Sequence, residues 1–543
     1  MNINKFYRPL IGIQNSVMAF TEPFGDPALS EIYKRTGEGF HFPVQDGNPC
    51  IDEYCRMLSS ENYDFLVQQT MPEEQNQLEF IERISQEDIK YILGNEFGSI
   101  NRICTHNTNR ADVSSKAVSL AAENSNFMGI LYDESEHQQL HPEIYDAKHG
   151  DIAYQWADAK GKTLDEIENA VTEAVKEVVT HYTNTPCYSE HVFPVMYHAF
   201  ARGGMNLVPK VLKEEFQSLQ LASALGAAVQ YKRDMGICVD LWGSDVGEWF
   251  TRVWGFPGHS PLEFENALRM AWHFSPAFMF VENMDPLFLY SKQKGFNKTE
   301  FGEIYAKFIH EYVPMNPLPY RFNQAQADIA LVRSDDTLIS DKGGFFNYSM
   351  YGSRELTYDF THTSVFKAWR FLSHNTLPDN GLTWFLPQFD FPKGRFPVTT
   401  ESIKSLPKIS GEKVDGWENK HGLFYPLNNV LVFDHFASYE VLYTAKLIVV
   451  AGSRMSQRCM EDILKCVYEG ATLLSVSWLM PEQYRENMSY GHGQIIITED
   501  FSEKSDYLLG DRNIWSQRFG QYEVQITNPT GDGISLNISV NKS

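Results

Sequence analysis

Residues 127–137 read FMGILYDESEH, an apolar run that stops on three carboxylates and a histidine. The run predicts a strand whose charge all falls at its C-terminal end. Runs of the same kind recur at 9–14 (PLIGIQ), 39–44 (GFHFPV), 63–69 (YDFLVQQ), 89–95 (IKYILGN), 192–200 (VFPVMYHAF), 235–242 (MGICVDLW) and 276–282 (PAFMFVE). Amphipathic helix-length segments lie between most of them, at 76–86, 164–181, 209–230 and 262–274. Strands alternating with helices predict βαβ units and a parallel sheet. Eight such units predict an α/β fold of the (β/α)8 TIM barrel type over residues 1–320. The count of eight includes 39–44, and without that segment every later strand moves down one place.

Residues 315–328 (MNPLPYRFNQAQAD) are rich in Pro, Asn and Gln and read as a linker. Beyond it, 328–333, 429–434, 446–451 and 471–477 predict strands, with helices at 363–374 and 456–469. A second α/β domain is therefore expected over 321–492. The tail 493–543, with GQIIITED, GQYEVQITN and ISLNISV between Asn and Gly turns, predicts a small C-terminal β segment. No internal repeat or low-complexity stretch interrupts this order.

Composition narrows the function. Lys and Arg number 46 against 70 Asp and Glu, a formal charge of -24. Such a surface repels phosphate backbones and anionic lipid, so neither nucleic acid nor a membrane is the expected partner. A neutral carbohydrate suffers no such repulsion, and aromatic residues at 14% supply faces that stack on sugar rings. No apolar run reaches the roughly 18–20 residues of a membrane span. The seven cysteines (Cys50, Cys55, Cys104, Cys187, Cys238, Cys459, Cys466) are odd in number and form no C-x-x-C pair. A reduced, cytoplasmic protein is the expectation.

Barrel chemistry sits where the strands stop. The ends carry Asn95-Glu96, then Asp133-Glu134-Ser135-Glu136-His137, then His198, Asp240-Leu241-Trp242 and Glu282. Carboxylates at four of these ends are costly unless paired or functional. Glu96, Glu134, Asp240 and Glu282 are thus the catalytic candidates. Each has a plain alternative: Glu96 could cap the following helix, and Asp240 could pair with Arg202 or Lys232. If the chain stays extended, Glu134 and Glu136 face the same way. The loop 244–261 (SDVGEWFTRVWGFPGHSP) adds Trp254 and His259 just beyond Trp242. Asn95, Glu136, His137, His198, Trp242, Trp254 and His259 are expected to position a polyhydroxylated ligand. No dinucleotide, P-loop, G-x-S-x-G or H-E-x-x-H motif is present, and no ligand spacing marks a metal, so neither cofactor nor metal is expected.

This layout resembles the clan-A glycoside hydrolases, in particular the β-galactosidases of family 42. Gly94-Asn95-Glu96 looks like the Asn-Glu that ends the fourth barrel strand there, whose Glu is the acid/base. Residues 270–283 (MAWHFSPAFMFVEN) are similar to the last barrel helix and strand. Residues 326–336 (QADIALVRSDD) and 446–477 are similar to parts of the glutamine-amidotransferase-like (flavodoxin-like) domain that follows. True amidotransferases carry a Cys at the nucleophile elbow, whereas strand 446–451 runs here into Gly452-Ser453-Arg454-Met455. The resemblance thus implies a non-catalytic second domain, a homo-oligomer (dimer or trimer) and an oligo- or polysaccharide substrate. It also implies a nucleophilic Glu on the seventh strand. Counting 39–44, that strand ends at Asp240; without it, Glu282 becomes seventh and Glu134 fourth. Two opposed pairs stand open, Glu96 with Asp240 and Glu134 with Glu282.

Overall fold

The computed structural model describes residues 6–15, 50–71, 74–95, 113–140, 156–212, 217–241, 261–282, 284, 287–334, 336, 350–353, 355–356, 359–377, 423–501 and 506–542. Eight parallel strands close into a barrel in chain order. They are β1 (Leu10–Asn15), β2 (Phe65–Gln69), β3 (Lys90–Asn95), β4 (Phe127–Tyr132), β5 (Cys187–His191), β6 (Asn206–Val211), β7 (Gly236–Asp240) and β8 (Phe278–Glu282). Closure runs through β8 onto β1, with Leu10 opposite Phe278 and Ile13 opposite Val281. The floor of the barrel is a separate apolar cluster of Phe65, Val67, Ile92, Leu131, Tyr188, Val208, Cys238, Phe278 and Phe280. A larger core fills the space between strands and surrounding helices.

The predicted strand at 192–200 is corrected. Residues 192–196 are irregular, Met196 takes a left-handed backbone (φ 62), and Tyr197–Gly203 is a helix. That helix buries six of its seven residues, so its sequence loses helical periodicity and reads as a continuous apolar run. The fifth and sixth strands lie on either side of it, as CYSEH and NLVPKV. Polar composition hid the first, and Pro209-Lys210 hid the second. The helix expected from 209 starts at Gln217. Residues 39–44 lie outside the described residues, and the barrel closes without them. Asp240 therefore ends the seventh strand and Glu282 the eighth, while Glu134 follows the fourth.

A hairpin, β9 (Phe288–Ser291) with β10 (Gly295–Lys298), and a helical segment lead to β11 (Ala325–Gln326). The second unit is a six-stranded sheet of β12 (Ile329–Arg333), β13 (Val430–Asp434), β14 (Leu447–Ala451), β15 (Thr472–Ser475), β16 (Met488–Tyr490) and β17 (Gly493–Ile497). Its order is β13-β12-β14-β15-β17-β16, parallel except for β16. β17, expected in the C-terminal segment, pairs instead with β15. The terminal sheet joins β11 to β18 (Ile514–Phe519), β19 (Tyr522–Thr527) and β20 (Asn537–Lys542).

The edge strand β13 is covered by the barrel. His198 donates Nε2–H to the Val432 carbonyl at 3.0 Å, and Gln230 Oε1 accepts the Asp434 amide at 3.1 Å. The helix Gln217–Tyr231 comes so close that a Cβ on Gly226 would stand 1.7 Å from the Val432 oxygen. Asp434 accepts from Gln230 Nε2 and Tyr231 OH, each at 2.5 Å, and pairs with Arg202 at 3.3 Å. Edge peptide groups that would otherwise template another strand are thus satisfied within the chain.

Candidate active site at the carboxyl ends of the barrel strands

Strand alternation carries the inward face from the apolar floor up to a polar layer. Two residues beyond Val67, Tyr188, Val208, Cys238 and Phe280 stand Gln69, Glu190, Lys210, Asp240 and Glu282, all buried. Lys210, fully buried on β6, is the centre of this layer. Its Nζ lies 2.6 Å from Glu282 Oε2, 3.1 Å from Asp133 Oδ1, 3.2 Å from Glu134 Oε1, 3.5 Å from Asp240 Oδ2 and 3.8 Å from Glu190 Oε1. Four strands thus aim carboxylates at one ammonium. Glu134 has a left-handed backbone (φ 40), the kind of local strain that collects at functional sites. It is also the most exposed of the five, at 17% of its side chain against 6% for Glu282 and 0% for Asp240 and Glu190.

Electrostatics follow from this crowding. Burial alone would lower the Lys210 pKa, but Asp133, Glu190, Glu282 and Glu134 outweigh it and hold the ammonium firmly charged. Burial drives the Glu190 carboxyl well above the usual range, Lys210 pulls it back, and Asp133 and Glu282 push it further up. Neither Glu190 oxygen has a hydrogen-bond donor among the described residues.

The described polar residues of β1 and β2, on the opposite side of the mouth, are neutral amides. Gln14 of β1 and Gln69 of β2 are buried; Gln69 Oε1 and Nε2 and Gln14 Oε1 have no hydrogen-bond partner among the described residues. Behind them Asn15 donates to Gln68 at 2.8 Å, Tyr54 donates to Asn15 at 3.1 Å, and Thr70 donates to the Gly94 carbonyl at 2.6 Å. The site therefore has a carboxylate side, built from β4 to β8, and an amide side, built from β1 and β2.

The remaining candidates distribute as follows. Glu136 does not face the same way as Glu134, because a helix (Ser135–Leu140) begins where extended chain was expected. Its fully buried carboxylate accepts the amides of Val192 at 2.6 Å and Phe193 at 3.0 Å, fastening the turn after β5. Burial raises its pKa to about 8, although those two amides oppose the shift. His191 stands 3.8 Å away and bonds Ser189 at 2.5 Å, which meets Ser135 at 2.6 Å. His198 is engaged with β13 rather than at a strand end. Asn95 closes β3 and His137 belongs to the helix after β4; their side chains, with all of Glu96, Trp242, Trp254 and His259, lie outside the described residues.

Glu190, Cys238 and Glu282 bring ligand atoms within 4.8 Å of one another, a spacing a metal ion could use. Lys210 already sets a cation among the same oxygens. Among the described residues, no helix is long and apolar enough to cross a membrane.

No protein-family model matches the chain, and no curated protein matches it in sequence. Solved structures do. A β-galactosidase from Bacillus circulans sp. alkalophilus is similar at 9% identity and a TM-score of 0.49, over 96% of this chain and 93% of that one. A catalytic mutant of a GH42 β-galactosidase from G. stearothermophilus is similar at 8% identity and a TM-score of 0.47, over 97% and 92%. An exo-β-1,4-mannosidase from Opitutaceae bacterium strain TAV5 is similar at 8% and 0.39, over 89% and 81%.

Sequence reasoning brought Glu134, Asp240 and Glu282 to the mouth and missed Lys210, Glu190, Gln14 and Gln69. The missing signal was a lone Lys inside LVPKVL: a cation in an apolar run is buried only where acids wait for it.

Proposed function

We propose that this chain is a glycoside hydrolase in which Glu134 is the acid/base and Glu282 the nucleophile. The observation that carries this reading is the shared contact of both carboxylates with Lys210. Because each touches the same nitrogen, their oxygens stand no more than about 6 Å apart, a bound that admits the roughly 5–5.5 Å carboxyl separation of retaining enzymes and disfavours the wider spacing of inverting ones. Glu134 gives its proton to the glycosidic oxygen as the anomeric C–O bond breaks, and the Glu282 carboxylate bonds to the anomeric carbon. Ionised Glu134 then takes a proton from water, whose oxygen displaces Glu282, so one water is consumed per bond cleaved. Gln14 and Gln69, each able to donate and accept, suit the hydroxyls of a neutral sugar. The second domain, read as amidotransferase-like, has a structural role beside this site.

Imine chemistry on Lys210 is disfavoured by the same cluster. An amine nucleophile needs a lowered pKa, and these neighbours raise it. The test is nitrophenol release from α- and β-nitrophenyl glycosides, run with Glu134→Gln, Glu282→Gln, Asp240→Asn and Glu96→Gln beside the parent. Loss confined to Glu134→Gln and Glu282→Gln supports the pair. Loss confined to Glu96→Gln and Asp240→Asn transfers the roles to those residues.

A further inference from the structure

Five carboxylates around one ammonium are more than a two-carboxylate reaction needs. The charged groups come from every strand of one side: Asp133 and Glu134 after β4, Glu190 on β5, Lys210 on β6, Asp240 on β7, and Glu282 on β8. Among the described residues, the strands facing them supply the amides of Gln14 and Gln69. Crowding five carboxylates into one buried layer favours taking up a proton over ionising every one of them. Glu190, like Asp240, has no exposed surface, and of the five acids it lies farthest from Lys210, at 3.8 Å, beyond hydrogen-bond reach. Glu282, at 2.6 Å from Nζ, has the closest ion pair of the five.

We propose that Lys210 is the positioning residue of the carboxylate pair: its ammonium fixes the spacing of Glu134 and Glu282 and keeps Glu282 ionised, while Glu190, fully buried and beyond hydrogen-bond reach of that ammonium, holds a stored proton. The kinetic part of this inference rests on the glycosidase reading above; the stored proton does not. A carboxylate that loses an adjacent cation becomes easier to protonate. Lys210→Met therefore moves the acidic limb of kcat/KM upward by about one to three pH units, and Lys210→Arg, which keeps the charge, restores it toward the parent position. A purely structural lysine would lower Tm in both variants and leave the limb in place, and that result overturns the positioning role.

Infrared spectroscopy tests the stored proton without turnover. The parent protein at neutral pH should show protonated-carboxyl absorption of which one component is lost in Glu190→Gln, while the component of Glu136, itself protonated there, remains. Because Gln is neutral like the protonated acid, Glu190→Gln should leave the acidic limb within half a unit of the parent. Protonated-carboxyl absorption unaltered by Glu190→Gln overturns the stored proton whether or not any glycoside is cleaved. If Lys210→Met does not fold, Lys210→Gln, which also removes the charge, takes its place. A limb moved up in Lys210→Gln and restored in Lys210→Arg supports charge as the active property, and a limb left in place by Lys210→Gln counts against it. If no glycoside is cleaved by the parent, the glycosidase reading fails while the infrared result stands.

Discussion

Gly226 and Val432 meet backbone to backbone: a Cβ at 226 would lie 1.7 Å from the Val432 carbonyl oxygen and 2.6 Å from its carbonyl carbon. In an exposed helix, Gly→Ala stabilises by up to about 1 kcal/mol. Here the sign reverses. Gly226→Ala must push the helix Gln217–Tyr231 off β13, and overpacking of this kind costs about 1–3 kcal/mol or more. Urea denaturation measures it, and a variant as stable as the parent contradicts the contact.

Asp434 is a second test of the same seam. It accepts from Gln230 and Tyr231 and pairs with Arg202, which also pairs with Glu168 at 3.0 Å. Asp434→Ala leaves a buried phenol, an amide and part of a guanidinium without an acceptor, a loss of about 3–5 kcal/mol. Adding Tyr231→Phe to it should cost less than the same change in the parent, which a double-mutant cycle reads directly.

Glu136 makes stability depend on pH. Its folded pKa is raised from the ordinary 4.5 to about 8, so between those values the folded chain holds a proton that the unfolded chain releases. That contribution is complete below pH 4.5 and is lost as pH rises toward 8, a fall on the order of a few kcal/mol. Glu136→Gln, which keeps an oxygen for the Val192 and Phe193 amides, should flatten the decline. Equal losses at pH 6 and pH 9 would sink the explanation.

His273 acts in the opposite direction. Burial lowers its pKa from 6.5 to about 4, and its Nε2 meets Tyr312 OH at 2.9 Å. Its contribution is present above pH 6.5 and is lost as pH falls through 4. His273→Gln should therefore narrow the acid-side loss while leaving the alkaline side unchanged, as followed by Tm against pH.

The barrel was legible wherever a strand combined an apolar run with a charged stop, as in β4, β7 and β8. It was illegible at β5 and β6 because buried strands near a site carry the site's own polar residues. Glu190 makes β5 look like a loop, and Lys210 behind Pro209 makes β6 look like a helix start. Glu136 shows a different limit. Its residue type and spacing were read correctly, but one helical turn at Ser135 redirects the side chain from the mouth to the wall. His198 was misplaced for a related reason: a helix buried on all sides loses the period that distinguishes it from a strand.

The seam between barrel and second sheet also governs how this protein can be taken apart. A cut in the segment 315–328 would not release two working modules. Freed from His198, Gln230 and the glycine-flattened helix, β13 would present bare peptide groups to any neighbour, inviting strand-by-strand stacking into aggregates. The α/β unit could be transplanted onto another barrel only together with those three residues. Its boundary in evolution or in engineering is thus a matched surface, and the linker is merely where the chain crosses it.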